Sequence, residues 1–127
     1  MDIIKKFGDM VGEESIRNPE KARKLLLTGY RLQEKRLQFF PDRKLPASGQ
    51  YVARVVMQNI IKALAKPDDT ALVSIFVPGE LLTAAGITPY SVEAMSCFIA
   101  GTRCEQAFLA QTEAEGFPIT EFSWGRL

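Results

Sequence analysis

Residues 70–77 (Thr-Ala-Leu-Val-Ser-Ile-Phe-Val) are short, β-branched and apolar, and Pro78-Gly79-Glu80 follows them directly. This pairing limits the fold more than any other feature of the chain. An apolar run of this length between turn signals reads as a buried strand. Pro78 starts a helix with an acid in its first turn, and Gly86 stops it. Residues 88–92 then give a second extended run, parallel to the first if the helix is its crossover. Such a strand–helix–strand unit turns a carboxylate and free backbone N–H groups toward the carboxyl edge of a sheet, where α/β proteins bind ligands. Glu80 therefore has two readings: an acid that stabilises the first helical turn, or a site carboxylate able to hydrogen-bond a ligand or move a proton.

The rest of the chain supplies helices. Residues 2–16 suit a short amphipathic helix through Ile3, Ile4, Phe7, Met10 and Val11, interrupted in propensity by Gly8 and Gly12. Asn18-Pro19-Glu20 is a helix start, with a capping Asn, proline at the first position and an acid behind it. The apolar positions Ala22, Leu25, Leu26, Tyr30, Leu37 and Phe40 carry that helix to Pro41. A third helix is expected over 47–65, capped by Ser48, with Val52, Val55, Val56, Ile60, Ala63 and Leu64 as its stripe. A small apolar segment at 94–100 and a helix over 102–115, ended by Gly116-Phe117-Pro118, complete the reading.

The expected architecture is thus α/β: a helical region over 1–67, then the first strand–helix units of a Rossmann-like parallel sheet over 68–127. Two strands only begin a sheet, because an α/β layer needs more of them to bury both faces. The expectation is an incomplete domain, the N-terminal part of something larger or a unit sharing a core with a partner.

Composition excludes some chemistry. Histidine is absent, so Ser-His-Asp, Cys-His and His-based zinc sites cannot be built within this chain. The two cysteines, Cys97 and Cys104, make no disulfide framework and are expected to be packed, inert thiols. Without a leader-like or membrane-spanning run, the chain reads as cytoplasmic, with no membrane partner. The formal net charge is +1, but nine Lys or Arg stand against three acids between Arg17 and Lys44, and two Arg against eight acids from Asp68 onward. The basic stretch is a solvated helix face, or a dock for the acidic half, an acidic partner or a phosphorylated ligand. Tyr30, Phe39 and Phe40 lie on its apolar stripe and read as core, and no phosphate-cradling glycine loop occurs, so nucleic acid is not expected as a partner.

Over residues 70–121 the chain resembles the 2-hydroxyacyl-CoA dehydratase family, which includes 2-hydroxyglutaryl-CoA dehydratase and benzoyl-CoA reductase components. The likeness rests on the apolar strand 72–77, on Pro78-Gly79-Glu80-Leu81-Leu82 and on Ala84-Ala85-Gly86-Ile87-Thr88-Pro89. Ser91-Val92-Glu93-Ala94-Met95-Ser96-Cys97 and Cys104-Glu105-Gln106-Ala107-Phe108-Leu109 extend it. The resemblance implies a Rossmann-like fold and a longer protein holding a 4Fe-4S cluster through cysteines. It further implies a second dehydratase subunit, an ATP-hydrolysing activator that delivers an electron, and removal of water from a (R)-2-hydroxyacyl-CoA through a ketyl radical. Glu80 then corresponds to a carboxylate near the acyl-CoA thioester. The family's first cluster cysteine falls at Phe122, within Phe122-Ser123-Trp124. Cys97 and Cys104 do not match that position, so no cluster is expected in this chain alone, and activity alone is not expected. The competing expectation is a non-catalytic interaction domain that uses the basic helix and the open sheet edge, with Glu80 only a cap.

Overall fold

The computed structural model describes residues 2–41 and 44–117. Phe122, Trp124 and the proline of Gly116-Phe117-Pro118 lie outside those residues. Three long helices come first: α1 (Ile3–Arg17), α2 (Pro19–Phe39) and α3 (Ala47–Ala65). A 3-10 turn at Pro67–Asp69 leads into β1 (Thr70–Val73), followed by α4 (Gly79–Ala84), β2 (Thr88–Ser91), α5 (Val92–Gly101) and α6 (Glu105–Ala114). The described chain is mostly helical with one small parallel sheet.

Asn18 closes α1 and opens α2 at once. Its N–H donates to Glu14 O, and its side chain accepts from Lys21 N at 3.0 Å, which is the cap expected from Asn18-Pro19-Glu20. Ser48 does not cap α3. That helix begins at Ala47 behind an extended Pro46, with no side-chain cap bond. The strand expected over 70–77 stops at Val73, where Val77 N–H donates to Ser74 O and turns the chain. The segment 94–100 is helical and belongs to α5, and the helix expected from 102 starts only at Glu105. Arg103, at φ 57°, breaks the path between the two helices.

Glycine in α1 has a packing role rather than a helix-breaking one. A β-carbon on Gly8 would run into the carbonyl oxygen of Thr102, and one on Gly12 would stand 2.9 Å from Ala107 Cβ. The two glycines let α1 lie close against the start of α6, and Val11 between them is fully buried.

The core runs through both halves of the sequence. Val11, Leu26, Tyr30, Met57, Ile60 and Ala63 come from the first three helices, and Tyr90, Ile99 and Cys104 from the sheet side. Tyr30 stacks edge-on against Phe98 at 5.3 Å, and its hydroxyl donates to Phe98 O at 3.2 Å. Burial pushes the Tyr30 and Tyr90 phenols well above the ordinary tyrosine range. Phe39 and Phe40, expected in this core, are exposed at the far end of α2. Their end of the hairpin extends past Tyr30 and Met57, beyond the reach of the sheet.

The strands pair in parallel, Thr70 with Thr88 through Val73 with Ser91. Register partners share a face of the sheet. Leu72 and Tyr90 are such a pair, yet Tyr90 is 6% exposed and Leu72 59%. Among the described residues the helices cover Tyr90 of β2 and leave Leu72 of β1 exposed, so the strand expected to be buried is only half-buried.

Candidate functional site

Two acids follow the strands, Glu80 in the first turn of α4 and Glu93 in the first turn of α5, and their surroundings are opposite. After β1 the chain passes through Ser74 and a turn to Pro78, and α4 begins at Gly79. Gly79 sits directly on β2: a β-carbon there would lie 3.0 Å from Pro89 Cγ. This contact seats the start of α4, where Glu80 is the next residue, against the second residue of β2. Glu80 is exposed, and among the described residues its side chain makes no hydrogen bond or ion pair. It caps nothing.

Glu93 holds the strand ends together. In the first turn of α5, its carboxylate accepts from Ser91 Oγ at 2.6 Å, from Ser74 Oγ at 3.1 Å and from Ile75 N–H at 3.1 Å. Ser91 in turn caps α5, accepting from Ala94 N–H at 3.1 Å. These bonds, led by the one from Ser91, hold the Glu93 carboxyl below the usual carboxylate range. One carboxylate thereby ties the end of β1, the end of β2 and the start of α5. The sequence does contain a signal for it. Ser91 followed by an acid in the first turn is a helix start, hidden because residues 88–92 read as one strand.

Clefts lie elsewhere. One of about 400 Å³, between α3, α4 and β2, is lined by Val56, Asn59, Lys62, Thr83 and Thr88 among others. Another of about 350 Å³ lies between the first three helices and α6. Neither includes Glu80 or Glu93. Phe76, in the segment between β1 and α4, is 92% exposed.

The thiols part company. Cys104 is buried against Thr102 Oγ1 at 2.9 Å, and burial pushes its thiol up, as suits an inert packed cysteine. Cys97 is exposed, against the expectation that both are packed. This donor set does not fit a 4Fe-4S cluster. One thiol is walled into the core, the other faces out, and among the described residues no three His, Cys, Asp or Glu side chains converge. The basic face of α2 is partly engaged: Arg23 and Lys24 pair with Glu20, Lys21 pairs with Glu14 at 2.6 Å, and Arg23 also donates to Leu64 O. No helix among the described residues is long and apolar enough to cross a membrane.

Set beside known protein families, curated proteins and solved structures, the chain matches none of them.

Proposed function

We propose that this chain is a component of a 2-hydroxyacyl-CoA dehydratase, forming the start of a Rossmann-like domain and contributing Glu80 to one wall of an acyl-CoA site. The observation that carries the reading is the division of labour between the two acids. Glu93 does the structural work at the strand ends, and Glu80, in the first turn of the crossover helix, has no partner among the described residues. An exposed carboxylate in the first turn of a crossover helix can accept a hydrogen bond from a ligand or exchange a proton with it. In this reading the remaining wall and the cysteines of any cluster come from outside this sequence, which holds only Cys97 and Cys104, as from a second subunit. The role of Glu80 is confined to orienting the thioester end of the substrate and holding or moving a proton there.

The test is reconstitution with a second dehydratase subunit, the activator, ATP and a 2-hydroxyacyl-CoA. Glu80→Gln is expected to lower dehydration by about 10²–10⁴-fold, the usual scale for a proton-transfer group, with unchanged melting. No dehydration by the wild-type mixture overturns the dehydratase reading. A second reading, a non-catalytic interaction domain, draws on the tip of the α2–α3 hairpin. There Phe39, Phe40 and Tyr51 are 68%, 77% and 70% exposed beside the basic residues Arg31, Lys35 and Arg36. It predicts a complex whose turnover is indifferent to Glu80→Gln.

A further inference from the structure

The outer face of α2 changes character in its last turns. Leu32, Lys35, Arg36 and Phe39 stand at helical spacing on one face, and all four are exposed. Phe40, Leu45 and Tyr51 continue the apolar surface around the end of the hairpin, where α3 begins. Single exposed apolar residues are ordinary, but a group of them at one end of a molecule marks an interaction surface.

The charges on this face are of one sign. Among the described residues Lys35 and Arg36 make no ion pair, unlike Lys21, Arg23 and Lys24 nearer the start of the helix. Glu34, next to them in sequence, is half-buried and accepts from Gln58 of α3 at 3.2 Å. Over residues 31–44 five Lys or Arg stand against two acids.

We propose that this end of the α2–α3 hairpin docks on the surface of an anionic lipid bilayer. Phe39, Phe40 and Tyr51 then enter the acyl boundary, and Lys35 and Arg36 meet the lipid phosphates. Charge complementarity gives the sign of the partner, and the mixture of side chains gives its kind. A nucleic acid would satisfy the cations but offers no apolar bed for Leu32 and Leu45. A protein would need a socket shaped to the hairpin end, whereas a bilayer receives a protruding end without one. At its interface aromatic rings settle at headgroup level, while Lys and Arg lay their stems on the apolar layer and raise their charges to the phosphates. The expectation of no membrane partner came from the lack of a spanning run, and a surface dock needs none. The inference gives a partner to the tip used in the second reading above. It is independent of the dehydratase reading, whose Glu80 lies on α4 and outside this hairpin.

Flotation of the full chain with lipid vesicles tests it. Vesicles of phosphatidylcholine and phosphatidylserine in equal parts are expected to retain the protein, and phosphatidylcholine alone to retain little. Added salt is expected to weaken the binding. Lys35→Ala with Arg36→Ala is expected to lower the affinity about 10–30-fold. Phe39→Ala with Phe40→Ala is expected to lower it about tenfold or more, with unchanged melting because both rings are exposed. Phe76→Ala, at a still more exposed ring beyond β1, is expected to bind as the wild type does. No retention on the mixed vesicles overturns the proposal, as does equal retention on both kinds. So does binding lost with Phe76→Ala and kept with the paired phenylalanine change, or tighter binding to DNA than to mixed vesicles. Should the paired change fail to fold, amide exchange of the wild-type chain decides. Mixed vesicles must slow exchange over residues 36–40 and leave 70–74 unchanged, and any other pattern overturns the dock. Failure on vesicles leaves the interaction reading standing, because its own test is a complex with a protein subunit.

Discussion

Leu72 and Tyr90 occupy matching positions on adjacent strands, on the same face of the same sheet, and differ almost tenfold in exposure. The contrast divides the molecule. On the β2 side, α3 and α5 close over the sheet and build a core with Ile60 at its centre. On the β1 side, the strand, its turn and α4 carry Leu72, Ile75, Phe76 and Leu81 on the surface. The difference lies in cover, since both strands have side chains suited to burial. An apolar strand expresses its hydrophobicity as stability only where another layer meets it.

The sharpest way to break this comparison is to truncate one apolar side chain on each side. Ile60 is fully buried, so Ile60→Ala should cost about 2–5 kcal/mol through lost transfer energy and the cavity left behind, read as a fall in the denaturant midpoint. Glu93→Gln should come next. It weakens the clamp on Ser74, Ile75 and Ser91, so melting falls less than for Ile60→Ala while amide exchange at Ile75 accelerates. Acid titration gives the same effect in the wild-type chain. The Glu93 carboxyl is lowered in the folded state, so its stabilisation is present in full above the ordinary carboxylate range. It is lost as pH falls through the lowered folded value, and the Glu93→Gln variant should lack this part of the acid dependence. The smallest effect belongs to Phe76→Ala. At 92% exposure this large aromatic should change unfolding free energy by no more than about 0.5 kcal/mol. A loss comparable to that at Ile60 would mean that the β1 side has cover of its own.

Much of this arrangement is legible in the sequence, where local chemistry decides the outcome. Asn18-Pro19-Glu20 marks a helix boundary to the residue, Gly86 and Gly116 stop helices at φ 80° and 98°, and the parallel pairing follows from a crossover helix between two extended runs. What escaped depends on partners distant in sequence. Gly8 and Gly12 read as weak points of α1 because the close approach of α6 is invisible until the chain is folded. Phe39 and Phe40 read as core because helical spacing reveals a stripe but not how far the opposing layer extends. At the candidate site, Glu80 was legible as an acid in a first helical turn and Glu93 was not. Its significance comes from Ser74, 19 residues earlier and just past the end of the other strand.

The seating of Gly12 of α1 against Ala107 of α6 has a consequence for how the protein is made. Contacts between distant parts of a chain slow folding, because the intervening loop must be closed before they form. On a ribosome adding about 5–20 residues per second, the first helix emerges on the order of 5–20 s before its docking surface exists. Until then Val11 has no α6 to lie beside, and α1 must wait, half-sheltered by α2, as a nascent helix with a bare face. Translation therefore sets the earliest moment at which this fold can close.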